Sequence, residues 1–168
     1  MRRLVDLLDQ VIGGIAAAIL LVCFSLLVFS VFARYVAVGM QIDWILEVVV
    51  FLIAWAVMLG VARIEKRAGH IRVDFVLHMF PTKGQRAAEF LSLIFALVVG
   101  VFFVYAGILV VQDAIKWDER TDSTLRIPFW YYYLTLSVSF TIHAIFILDR
   151  IIGLLRGDPL PTEQDLAD

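Results

Sequence analysis

Four long stretches almost free of charge dominate this chain and leave it few ways to fold. No Asp, Glu, Lys or Arg occurs from Gln10 to Ala33, from Phe90 to Gln112, or from Ile127 to Leu148. A fourth run, Trp44 to Ala62, carries one charge, Glu47, in its first turn. A helix rises about 1.5 Å per residue and the hydrocarbon core of a bilayer is about 30 Å thick, so about 20 apolar residues make one crossing. Lipid offers no partner to an open backbone amide or carbonyl, which makes each crossing a continuous helix. The chain therefore reads as an all-α integral membrane protein, a single membrane domain over 1–168 with four transmembrane helices at about 10–33, 44–62, 90–112 and 127–148. Composition agrees: 62% of residues are hydrophobic, 18% are charged, and mean hydropathy is +0.91. A soluble domain is about half apolar and a quarter charged. The last residues, 157–168, hold Pro159, Pro161, Glu163, Asp165 and Asp168 and read as a polar, disordered tail.

Lys and Arg concentrate in cytoplasmic loops, which sets the direction of the spans. Arg2, Arg3, Arg63, Lys66, Arg67, Arg72, Lys83, Arg86, Arg150 and Arg156 fall on one side, against Arg34, Lys116, Arg120 and Arg126 on the other. Both termini are expected in the cytoplasm, with Met1-Arg2-Arg3 opening an uncleaved signal anchor. Tyr35, Trp44, Trp117, Trp130, Tyr131, Tyr132 and Tyr133 then fall at the outer ends, where aromatic rings sit among headgroups. Helix punctuation fits the same frame. Asp43 is a candidate N-cap, Thr82 to Gln85 has capping-box spacing, Pro128 suits a first helical turn, and Gly157 with Pro159 suits a stop.

Residues 63–81, between the second and third spans, are too polar to cross and too apolar to float free. Ile71, Phe75, Leu77 or His78, and Met79 fall near helical spacing while Arg72 and Asp74 point away, which predicts a short interfacial amphipathic segment. Arg63, Lys66, Arg67 and Arg72 would meet phospholipid headgroups. The alternative is a solvated basic loop.

Function classes narrow from what the residues offer. A net charge of -2 without a basic cluster argues against nucleic acid, and no hydrolase, nucleotide or dinucleotide motif is present. Cys23 stands alone, a small buried hydrophobe. Of His70, His78 and His143 only His143 lies in a span, so bis-histidine haem ligation has no second ligand at its depth, and no cofactor is expected. Gly100 and Gly107 lie seven apart on one helix face and suit close helix packing. Glu47, one turn past Asp43, lies about 6 Å into its span, near the outer interface, where a partner such as Arg34 can relieve its charge. Transport carboxylates lie at the midplane, so a structural or subunit-contact role is expected for Glu47.

Several short blocks together resemble a known family. Arg34-Tyr35 follows the first span, Trp44 and Glu47 open the second, Gly60 and Ala62 lie near its end, Gly69-His70-Ile71-Arg72-Val73-Asp74 and Pro81 follow, and Leu125 to Trp130 with Pro128 precede the fourth. This order is similar to the small membrane subunit of tripartite ATP-independent periplasmic (TRAP) transporters, the DctQ-like family. Many members carry paired acids after the tryptophan, where this chain has a single Glu47. The resemblance implies a multi-pass protein of the bacterial inner membrane with no catalytic site. It further implies a scaffold that braces a large membrane subunit in a sodium-coupled importer, with a periplasmic solute-binding protein delivering an organic anion of the carboxylate or sialic acid class. Arg34, Tyr35, Trp44, Glu47, Gly69, His70, Asp74, Pro128 and Trp130 become the expected contact or structural residues. Two other classes compete: a self-sufficient four-helix multidrug exporter using Glu47, and a membrane anchor subunit for haem or quinone.

Overall fold

The chain forms four long helices in the computed structural model, which describes residues 2–36, 42–64 and 82–156. They are α1 (Arg2–Tyr35), α2 (Ile45–Ile64), α3 (Thr82–Lys116) and α4 (Trp130–Leu155), and all four are long and apolar enough to cross a membrane. The predicted interfacial segment, with Lys66, Arg67, Gly69, His70, Arg72 and Asp74, lies outside the described residues, as does the tail from 157.

Two helices run well past their charge-free cores. α1 has 34 residues and α3 has 35, about 50 Å each, whereas the 20 residues of α2 make about 30 Å. The added turns of α1 carry Asp6 and Asp9, and those of α3 carry Arg86 and Glu89. Tertiary packing holds these polar turns in helix: Val5 and Ile12 are buried with Ala16, Leu59 and Phe146 in one cluster, and Leu93 with Ile147 and Ile151 in another. At the helix starts the sequence expectations shift. Asp43 is exposed, two residues ahead of α2, and makes no capping bond among the described residues; the first turn begins instead with Ile45 N–H donating to the Ile42 carbonyl at 3.4 Å. Pro128 also lies ahead of its helix, because Phe129 is the N-cap of α4.

Register follows from cross-helix contacts. Asp9 meets Arg63 and Cys23 meets Val49, so α1 and α2 run antiparallel. Glu89 meets Arg150 and Gly107 meets Ser137, so α3 and α4 do the same. Phe51 meets Phe129 while Met58 meets Ser139, so α2 and α4 run parallel. α1 packs chiefly on α2, α2 on α4, and α4 on α3, with a slight touch between α1 and α4. The arrangement is a row, α1-α2-α4-α3, with one end holding the helix starts at Arg2 and Thr82 (the tail end) and the other holding the two short connections (the loop end).

Apolar packing between helices has no hydrophobic driving force in lipid, so polar bonds and small residues carry the specificity. At the tail end, Arg63 Nε donates to Asp9 Oδ1 at 2.6 Å and Nη2 to Oδ2 at 3.2 Å. Gly13, one turn beyond Asp9, leaves the space that the Arg63 guanidinium occupies; a Cβ there would overlap it. Arg150 Nη2 lies 2.7 Å from Glu89 Oε1 and closes α3 on α4 in the same way. Higher up, the Ser139 hydroxyl donates to the Met58 carbonyl, and Ser137 to the Val104 carbonyl at 3.5 Å. Gly107 sits so close to Ser137 that a Cβ would collide with its hydroxyl, and a Cβ on Gly100 would stand 3.8 Å from His143 Cδ2. His143 is buried and packs edge-on to Phe140, with ring centres 5.8 Å apart.

Two outcomes follow for the purified chain in detergent. Gly107→Leu should destabilise it by about 1–3 kcal/mol through overpacking, read as a lower unfolding midpoint, while Gly14→Leu, with nothing within 4 Å, should change it by less than about 0.5 kcal/mol. Asp9→Leu should cost about 3 kcal/mol by stranding Arg63, and adding Arg63→Met should recover most of that loss.

Candidate subunit interface

The loop end gathers aromatic side chains from every helix. Tyr35 ends α1, Trp44 precedes α2, Trp117 follows α3, and Trp130, Tyr131, Tyr132 and Tyr133 open α4. Phe51 of α2 lies 6.3 Å from Phe129, stacked at 29°, and 5.8 Å from Tyr132, edge-on at 71°. Phe129 stacks in turn on Tyr133 at 6.1 Å. Such pairs add about 0.5–1.5 kcal/mol beyond the area they bury, and here they join the starts of α2 and α4.

The α3-α4 connection is a narrow, bonded turn. Thr121 N–H donates to the Ile127 carbonyl at 3.0 Å, Ile127 N–H to the Thr121 hydroxyl at 2.9 Å, and Phe129 N–H to the Glu119 carbonyl at 3.0 Å. Arg120 and Pro128 face each other as an antiparallel bridge, which places proline where no N–H is needed. Asp118 and Arg126 take left-handed conformations with φ of 45° and 47°, positions uncommon for residues other than glycine. Arg120 Nε donates to both Asp118 oxygens, at 2.9 and 3.0 Å. Those bonds hold the Asp118 carboxyl below the usual carboxylate range and push the Arg120 guanidinium up. Beside them Trp117 is exposed, with the Lys116 ammonium 5.7 Å from its ring centre.

Glu47 is the third residue of α2, and its two carboxylate oxygens are buried with no hydrogen-bond partner among the described residues. The expected relief by Arg34 is absent: Arg34 is exposed, and no ion pair joins the two among the described residues. Helix geometry gives the reason. Ile45 and Val49 fill the α1-α2 seam with Cys23, whereas Glu47 shares its face with Phe51, four residues on, which packs against α4. Arg34, on α1, is on the other side of α2. Arg63, expected among headgroups, directs its guanidinium to Asp9. Trp44 packs on the Cys23 cluster, and Trp130 is the half-buried first residue of α4. Sequence reasoning missed Asp9, Gly13, Glu89 and Arg150; the available sign was an acid just ahead of each long run and an arginine just past its partner run.

Outside these seams the helices present apolar side chains. In their most apolar windows only 11% of the residues of α1 and of α3 are buried, against 33% for α2 and 22% for α4. On α2 itself Leu46, Val50, Ile53 and Val57 form an exposed stripe. No charged residue lies in the central part of any helix, and among the described residues no group of three His, Cys, Asp or Glu could hold a metal.

Comparison with known proteins places this arrangement. Residues 23–157 match the family model described as tripartite ATP-independent periplasmic transporters, DctQ component. A relative in Oleidesulfovibrio alaskensis, the isethionate TRAP transporter permease protein DctMQ, is 23% identical over 150 residues. That match covers 86% of this chain and 23% of the relative, so the chain spans about a quarter of that protein's length. Running from Cys23 in α1 past the end of α4, the family match takes in the α2-α4 and α4-α3 seams and the loop-end aromatic cluster, and the chain belongs to the DctQ component family of tripartite ATP-independent periplasmic transporters, as a small multi-pass membrane subunit.

Proposed function

We propose that this chain is the non-catalytic scaffold subunit of a sodium-coupled secondary importer, bracing a large membrane subunit that carries the transport site. The observation that supports it is the absence of Asp, Glu, Lys and Arg from the middle of every described helix, because an anion crossing lipid needs compensating charge near the midplane. The row of helices supplies packing surface on both sides and no charged path. The relative points the same way: its matching part is 23% of a longer permease, so about three quarters of that protein is other chain. That relative is named for isethionate, an organic anion. That agrees with the organic-anion class for this transporter, delivered by a periplasmic solute-binding protein.

The loop end faces the periplasm in this reading and the tail end the cytoplasm of a bacterial inner membrane, an orientation that the excess of Lys and Arg at the tail end supports. The bonded turn 117–129, with the exposed Trp117, then stands where the binding protein arrives. Arg34, Tyr35, Pro128 and Trp130 share that end, and Gly69, His70 and Asp74 are proposed contact residues on the cytoplasmic side with Lys66, Arg67 and Arg72 at headgroups.

Three measurements check this. The tagged chain should co-purify with a membrane protein several times its size, and recovery only as a self-contained oligomer would refute the scaffold role. Vesicles holding this chain alone should show no solute uptake. In intact cells a membrane-impermeant maleimide should label Ser123→Cys but reach Arg156→Cys only after lysis; the reverse pattern would invert the orientation.

A further inference from the structure

Glu47 is the one feature of the described fold that its own packing leaves unexplained. A carboxylate removed from water is costly unless it gains a cation or donors, and neither Glu47 oxygen has any among the described residues. The carbon stem of the side chain remains partly exposed, so it is the charged head that turns inward. That is the opposite of the snorkelling expected where a long polar side chain meets lipid alone.

The surface beside it has a definite pattern. α2 has α1 on one side and α4 on another, and Leu46, Val50, Ile53 and Val57 stay exposed on a third. Their spacing of four, three and four is the repeat by which a second helix lies lengthwise along a first, with apolar side chains in the seam. In that repeat Glu47, one residue after Leu46, takes the flanking position, from which its head, turned inward in the lone chain, reaches a partner helix by a change of rotamer.

We propose that the α2 stripe receives a helix of the large membrane subunit and that Glu47 is the seat of a basic side chain on that helix. The lone chain then holds an uncompensated carboxylate, and assembly supplies its counter-charge. This rests on the scaffold reading, and it adds the face, the partner chemistry and an opposite effect of Glu47 on the separate chain and on the complex. Arginine or lysine both meet the requirement; a metal ion does not, since Glu47 belongs to no group of three His, Cys, Asp or Glu side chains among the described residues.

The test uses the full chain, tagged, expressed alone and together with a large TRAP membrane subunit from the same genome, in wild-type, Glu47→Met, Glu47→Gln and Arg34→Gln forms. In detergent, Glu47→Met should raise the unfolding midpoint of the lone chain by about 3 °C. Both Glu47 variants should lower recovery of the large subunit about tenfold, and Arg34→Gln should leave the lone chain's midpoint unchanged. A lower midpoint for Glu47→Met, or a matching loss in Arg34→Gln, would mean the carboxylate is compensated inside the chain and would overturn the proposal. Undiminished recovery in both Glu47 variants would overturn it while leaving the scaffold reading intact. Failure of the wild-type chain to recover any large subunit would remove both.

Discussion

Hydrocarbon gives a backbone amide nothing to bond to, and the rest of this structure depends on that constraint. It makes each apolar run a helix, and it also removes the force that would collapse those helices on one another, since a lipid tail is as apolar as a leucine. What remains to hold the helices to one another is short-range and specific: the Asp9-Arg63 and Glu89-Arg150 pairs at one end, the hydroxyls of Ser137 and Ser139, and the glycines that let side chains approach. The two ion pairs share one end, and the packed rings of Phe51, Phe129, Tyr132 and Tyr133 share the other. Each end of the bundle is thus fastened by a different kind of contact, and the middle is left to close packing.

The helices were legible from residue order alone because the signal that defines them is local: a run either holds charges or does not. Gly100 and Gly107 were legible for a related reason, since seven residues make a face in any helix, and both now lie against α4. The partners were not legible. Arg63 is 54 residues from Asp9, and nothing in composition says that an arginine beside a basic loop will turn inward to an acid two helices' length away. Helix limits also moved, because Val5 and Ile12 bury in a cluster with Phe146 and carry the polar start of α1 into helix.

At the candidate interface the pattern was similar. The place of Glu47 in the first turn of α2 could be read in advance, and so could the concentration of Trp and Tyr at one end. Its isolation could not, because that depends on the rotation of α2: Ile45 and Val49 take the seam with α1, and Glu47 is carried round to the side of Phe51. The position of Pro128 likewise waited on the turn, where its bridge to Arg120 places it ahead of α4.

The unequal helix lengths carry one more implication. α2, with 20 residues, only just matches a bilayer core of about 30 Å, while α1 and α3 have spare turns at their polar ends. Long helices meet a change in membrane thickness by leaning, at a modest cost per ångström. A short one cannot lengthen. In a thicker, sterol-rich or long-chain bilayer the strain would gather at the two ends of α2, at the turn of Glu47 and the clasp of Arg63, so this small helix sets the lipid environment in which the whole subunit sits at ease.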